Sequence, residues 1–232
     1  MERRRRPRHN LMSRDKTDLI SKVLADASAE LGGVDTGRLT ILLAELFRWN
    51  PQLGLVSKHH TADVVTRLIR RSVHMWRFLT DRGGMVPGPY RVADVGSGGG
   101  FPGLLWKLLE PRLDMALIER KDRKAVFLER VILKMRIDGA SAISADLFDL
   151  AREGGQEDAF DVVTLMAVGD PADLAGPVES MLKPAGFLCA VRGRDQAPPP
   201  DTIGEHLVRH TVEEREDGRY VLYKKNRSRS AR

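Results

Sequence analysis

The chain has 232 residues, 42% of them hydrophobic and 30% charged, the composition of a soluble globule and not of a chain disordered throughout. Nothing approaches the roughly 18 uninterrupted apolar residues of a membrane span, no apolar block follows the arginine-rich start as in a secretory signal, and a single cysteine, Cys189, excludes an internal disulfide or a cysteine cluster for metal; a cytoplasmic monomer without bound metal is expected. The net charge of +6 resides at the ends, because residues 1–14 carry six arginines against Glu2 and residues 219–232 carry six basic residues and no acid, leaving the body between them net acidic.

Residues 1–14 read as a disordered basic arm, suited either to phosphate contacts or to plain solvation. Apolar residues then recur at three- and four-residue spacings, with Leu19, Ile20, Val23 and Leu24 in one run and Leu39, Leu42, Leu43, Leu46 and Phe47 in the next. These predict two helices broken at Gly32-Gly33. Residues 49–60 read as a loop and 62–79 as a third helix carrying Arg67, Arg70 and Arg71. A connector of Pro and Gly at 83–89 closes this helical part, residues 15–82.

Beyond it, β-type runs at 90–95, 115–118, 141–144, 160–166 and 186–191 alternate with helical runs at 103–109, 122–135 and 172–182. Such alternation predicts a doubly wound, mostly parallel sheet with helices on both faces, spanning 83–225. Residues 208–212 and 220–224, joined across Asp217-Gly218, predict a closing antiparallel hairpin. Residues 226–232 form a second basic tail.

The chemistry concentrates where the first strand runs into a glycine loop, Asp94-Val-Gly-Ser-Gly-Gly-Gly-Phe-Pro-Gly103. Gly96, Gly98 and Gly100 let the backbone turn tightly and approach a ligand at the carboxyl end of a strand, where open α/β sheets bind cofactors. Glu119 ends the next strand and suits the two ribose hydroxyls of an adenosine; Asp146, with Ala145 and Leu147 beside it, follows the third strand and suits the adenine edge. Gly98-x-Gly100-x-x-Gly103 also satisfies the dinucleotide pattern, so a nicotinamide or flavin cofactor is the competing reading. Asp94 argues for S-adenosylmethionine, whose amino group and sulfonium suit an acid that a pyrophosphate would meet as a repulsive charge.

With these residues the chain resembles the RsmG (GidB) family of small-subunit ribosomal RNA guanine-N7 methyltransferases. The resemblance runs over most of the chain through Trp49-Asn50, the Asp94–Gly103 block, Glu119 followed by Arg123-Lys124 and Phe127-Leu128, Leu182-Lys183-Pro184, and Arg192-Gly193. It implies a class I, Rossmann-like methyltransferase fold, S-adenosylmethionine held by Gly96, Phe101 and residues 145–147, and 16S ribosomal RNA or the small subunit as partner. Three departures fall on the substrate side. The family's Arg-His-x-x-Asp-Ser run reads Arg67-Leu68-Ile69-Arg70-Arg71-Ser72, Gly54 replaces an asparagine, and Leu165-Met166-Ala167 replaces Ser-Arg-Ala.

Methyl transfer to guanine N7 uses a neutral lone pair, so the absence of a catalytic triad or carboxylate pair in the sequence is compatible with an enzyme. RNA contacts are expected from Arg67, Arg70 and Arg71, from Lys183 and Arg192 near the sheet's rim, and from the two tails; for the third helix a solvated face competes equally. Two other functions stay open: a cofactor- and RNA-binding protein that has lost catalysis, and a methyltransferase with a different RNA or small-molecule acceptor.

Overall fold

A computed structural model describes residues 11–226; the arginines at positions 3–8 and the tail at 227–232 lie outside the described residues. Helix α1 (Leu11–Asp26) takes in the last four residues expected in the basic arm. It is followed by α2 (Thr36–Leu53) and α3 (Thr61–Gly83). Asp35 caps α2 by accepting the Arg38 amide at 3.0 Å, satisfying one of the donors every helix start leaves open.

The loop expected from residue 49 begins only after Leu53. Trp49 donates its indole N–H to Glu45 one turn back at 3.1 Å, and the side chain of buried Asn50 accepts the Val56 amide at 2.9 Å, so both side chains favour continuing the helix. Gly54 ends it with φ 58°, the left-handed position that glycine and asparagine both adopt readily, which accounts for the exchange with the family's asparagine.

The remainder alternates β1 (Arg91–Val95), α4 (Gly103–Leu109), β2 (Asp114–Glu119), α5 (Asp122–Met135), β3 (Ala140–Ser144), α6 (Leu147–Glu153), β4 (Phe160–Met166), α7 (Ala175–Met181) and β5 (Leu182–Arg192). Strands β6 (Thr202–Ile203), β7 (Leu207–Arg215) and β8 (Gly218–Lys225) complete one eight-stranded sheet in the order β3-β2-β1-β4-β5-β8-β7-β6. β1 to β5 run parallel, and β8 joins β5 antiparallel. Two elements were not expected: α6, nucleated by Asp146 accepting the Phe148 amide at 2.9 Å, and the two-residue β6. β5 also starts earlier than expected, since Leu182 pairs with Phe160 across a bulge instead of ending α7.

Side chains alternate between two cores, as the two-residue period of a strand requires. Val92, Leu117, Val162, Cys189 and Leu222 face the layer containing α1 to α5, whereas Ala93, Ile118, Val163, Leu188 and Val221 face α6 and α7. Trp106, fully buried, joins the helical layers: its indole donates to the Ser72 carbonyl at 2.8 Å and its ring meets Trp76 edge-on at 5.5 Å. No helix of the described residues is long and apolar enough to cross a membrane.

Candidate cofactor and substrate site

The chain leaves β1 toward β2 and β3 on one side and β4 and β5 on the other, so the strand order reverses between β1 and β4. Ligands of open α/β sheets bind outside the carboxyl ends of strands at such a switch point. There a cavity of about 480 Å³ opens, with Gly96, Glu119, Ala145, Asp146, Leu147 and Val168 on its wall. Five of the nine residues expected to hold a cofactor therefore converge on it.

Gly96 turns with φ 71°, and a β-carbon there would come within 2.6 Å of Val168 Cγ2. Its amide donates to the Ile118 carbonyl at 2.7 Å, which ties the turn to the end of β2. Glu119 is buried, with Oε2 accepting the Gly98 amide at 3.1 Å and Oε1 the Lys121 amide at 3.0 Å. Each oxygen keeps acceptor capacity, so one carboxylate braces the glycine loop and still offers two oxygens to a vicinal diol. Asp146 uses Oδ1 to cap α6 and sits at the cavity with its second oxygen unbound.

The other four expected cofactor residues have a different task. Asp94, expected as an acid at the mouth, is 1% exposed and does not line the cavity. It points to the helical face of the sheet, where Oδ2 accepts the Gly103 amide at 3.1 Å and Oδ1 the Thr164 hydroxyl at 3.0 Å. Thr164 is its register partner on β4. Burial pushes its carboxyl up to about 6, against the hydrogen bonds from Thr164 and Gly103 that favour the charge. Asp94 thus fastens the start of α4 to the sheet instead of meeting a ligand's charge. Gly100, with φ 90°, and Phe101 are buried against the helical layer; Gly98 donates to Glu119 but is off the cavity wall. These residues shape the loop from behind.

The expected RNA-contacting residues separate. Arg67 is exposed on α3. Arg70 donates to the Asp26 carbonyl at 2.5 Å and lies 3.3 Å from Glu30, and Arg71 closes on the Asp217 carbonyl at the tip of the β7–β8 hairpin. Where the family carries an acid in α3, this chain has Arg71 with the acid facing it on the hairpin; against the opposing effect of burial, His74, the Tyr220 hydroxyl at 2.8 Å and, least of the three, Arg71's charge hold the Asp217 carboxyl below its usual range. Arg192 is buried and pairs with Asp170 at 2.8 Å, which anchors the loop carrying Val168. Lys183 lies at the opposite edge of the sheet, at the start of β5, held by both oxygens of Asp161 at 2.9 Å. It therefore lies away from the cavity and not near its rim as expected. Met166, in the place of the family's arginine, is 6% exposed and packed into the core.

Residues around the cavity that were not expected at the site are Val168, Phe148 and the basic group Arg120, Lys121 and Lys124, the last known only as part of the family resemblance. The signal for Val168 was its position just past the carboxyl end of β4, across the switch point from Gly96. Lys124 is partly buried there, and desolvation lowers its ammonium from the ordinary lysine range.

The family described as rRNA small subunit methyltransferase G, GidB, matches residues 35–226. Among curated relatives, the ribosomal RNA small subunit methyltransferase G of Roseiflexus castenholzii is 34% identical over 169 residues, covering 73% of this chain and 67% of that protein. The protein of the same name from Dehalococcoides mccartyi is 32% identical over 186 residues, 80% of this chain and 74% of its own length. Among solved structures, a mutant of MtNAS in complex with S-adenosylmethionine superposes with a TM-score of 0.58 over 90% of this chain and 98% of that one, at 16% identity, a likeness of fold.

Proposed function

This chain belongs to the rRNA small subunit methyltransferase G family, and we propose that it transfers a methyl group from S-adenosylmethionine to N7 of a guanine in the 16S RNA of the small ribosomal subunit. The observation that carries the cofactor half is the meeting of the Gly96 backbone, the Glu119 carboxylate and residues 145–147 on one cavity at the carboxyl edge of the sheet. The group fits these residues: two carboxylate oxygens with spare acceptor capacity suit the ribose hydroxyls, the free oxygen of Asp146 suits an exocyclic amine, and Ile118, Leu147, Val168 and Leu174 offer apolar walls to a purine.

When bound, S-adenosylmethionine supplies an electrophilic methyl on a sulfonium, open to in-line attack by a neutral ring nitrogen. No base has to remove a proton before that attack, so the protein's task is to position. Glu119 orients the ribose and at the same time fixes Gly98; Asp94 fastens the loop to α4 and β4. The Arg192–Asp170 pair holds the loop after β4, which packs Val168 against Gly96. Val168-Gly169-Asp170-Pro171 occupies the place where transfer to exocyclic amines uses an Asn-Pro-Pro-Tyr-like run, which favours a ring nitrogen as acceptor.

A second reading, binding without transfer, draws on buried Met166 standing where the family has an arginine. One experiment separates the two: calorimetric titration with S-adenosylmethionine, then labelled-methyl incorporation into unmethylated small subunits with mapping of the modified position. Incorporation at guanine N7 is the expected result. Binding without incorporation would select the second reading, and no binding would overturn both.

A further inference from the structure

At the amino edge of the sheet Arg91, Lys107, Arg112, Lys183 and Lys225 are each held by a carboxylate or a carbonyl. On α3, Arg70 and Arg71 are held in the same way, and Arg67 stands alone among the described residues, exposed near Asp63. The turn from β2 into α5 is different. Arg120, Lys121, Arg123 and Lys124 place four positive charges within five residues, and among the described residues none of the four side chains has a hydrogen bond or an ion pair. Arg120, Lys121 and Lys124 border the cavity, and Arg123 is exposed beside them.

The acids beside them, Glu119, Asp122 and Asp146, hydrogen-bond neutral donors and keep their charge, and Glu119 attracts the Lys124 ammonium, but none of them forms an ion pair with the four cations among the described residues. Glu119 accepts the Gly98 and Lys121 amides, Asp122 accepts the Ser144 hydroxyl at 2.6 Å, and Asp146 caps α6. Across the same mouth, on the first turn of α6, Phe148 leaves 53% of its surface in water. Cations without an ion pair are available to phosphates, and a polyanion that pairs with them releases its own counterions. An exposed ring next to such a group is the combination that binds unpaired nucleotides, the phosphates on the cations and a base on the ring.

We infer that the β2–α5 rim, Arg120, Lys121, Arg123 and Lys124 with Phe148, is the docking surface for single-stranded RNA flanking the methylated nucleotide. The inference rests on the reading of the chain as a ribosomal RNA methyltransferase. It moves the main RNA contact from the arginines of α3 to the turn beside the cofactor cavity.

The test measures binding of unmodified 16S RNA, transcribed in vitro, to the full chain over a range of salt, alongside calorimetry with S-adenosylmethionine. In the triple variant Arg120→Gln, Lys121→Gln, Arg123→Gln the slope of log affinity against log salt is expected to become shallower by about 2, from about 0.7 per phosphate contact on a single strand. Affinity at low salt is expected to drop about tenfold or more, and at saturating S-adenosylmethionine the loss in methylation is expected in KM for RNA; in Arg123→Gln alone, off the cavity wall, cofactor affinity is expected within about twofold of the parent. Phe148→Leu is expected to weaken RNA binding about fivefold or more at unchanged salt slope, as the loss of one stacked base requires. A triple variant with the parental slope and affinity would overturn the inference while leaving the methyltransferase reading intact. A Phe148→Leu variant that loses cofactor affinity and keeps RNA affinity would assign the ring to the adenine and overturn its RNA role. A parent chain that binds neither ligand would overturn the methyltransferase reading itself. Arg123→Glu, a single exposed change, repeats the salt measurement should the triple variant fold poorly.

Discussion

At the amino edge of the sheet, Lys183 grips both oxygens of Asp161 at 2.9 Å and Arg112 grips Glu110 at 2.8 Å. At the carboxyl edge, Gly96 turns through a left-handed conformation, Asp94 is buried as an acid, and the side chains of Arg120, Lys121, Arg123 and Lys124 have no ion pair among the described residues. Both edges terminate the same strands, so the contrast is not one of fold. The amino edge satisfies its charges internally and closes; the carboxyl edge keeps donors, acceptors and backbone open to what binds there, and holds them in position with groups buried behind.

The largest expected effect breaks the carboxyl edge alone. Gly96→Asp sets a side chain where Val168 already packs, forces an L residue to φ 71°, and adds an unpaired charge; S-adenosylmethionine binding is expected to fall below calorimetric detection. Parental affinity in a folded variant would show that the loop does not hold the cofactor.

The two edges also carry opposite pH signatures. Asp94 keeps its proton up to about 6 in the folded chain, against an ordinary 3.8, so its contribution to stability is complete below pH 4 and is lost as pH rises through 6, by up to about 3 kcal/mol. Glu110 is held below the ordinary carboxylate range by its hydrogen bonds with Arg112, so its contribution is complete above that range and is lost as pH falls. Urea unfolding between pH 4 and 7 is expected to show a flatter profile for Asp94→Asn than for the parent; an unchanged profile would remove Asp94 as the source.

Next in size, Glu119→Ala removes the acceptor for two backbone amides and for the proposed ribose contact. It is expected to weaken the cofactor by about 1–3 kcal/mol, read as the dissociation constant by calorimetry. The smallest effect belongs to the amino edge: Lys183→Met breaks a pair whose members are 42% and 26% exposed, and should cost less than about 1 kcal/mol of stability. RNA affinity should not change. A clear RNA defect in that variant would erase the distinction between the edges.

Much of the scaffold was legible along the chain. The limits of α4, α5 and β4 match the expected ones residue for residue, because α4 and β4 are short, largely apolar runs and α5 repeats its apolar residues at helical spacing. α6 was missed since Asp146 reads equally as a ligand contact and as a helix cap, and it serves as the cap with one oxygen to spare. Residues 49–53 were expected as loop, yet α2 runs through Pro51 to Leu53, with the Trp49–Glu45 and Asn50–Val56 bonds along its last turns. Within the glycine block the residue types were recognised, but not the side of the loop each one serves: Asp94, Gly100 and Phe101 face the helical layer, and Gly96 faces the cavity.

The sequence by itself determined what is local: a strand entering a glycine turn and a helix, an acid at the end of the next strand, and a basic run directly after it. Tertiary structure alone decided which charges are neutralised. Lys183 meets Asp161 across 22 residues, Lys225 meets Asp158 across 67, and Arg71 meets the hairpin across 146. Pairing of this kind follows from strand register and helix docking, which bring together residues that no spacing pattern in the chain relates.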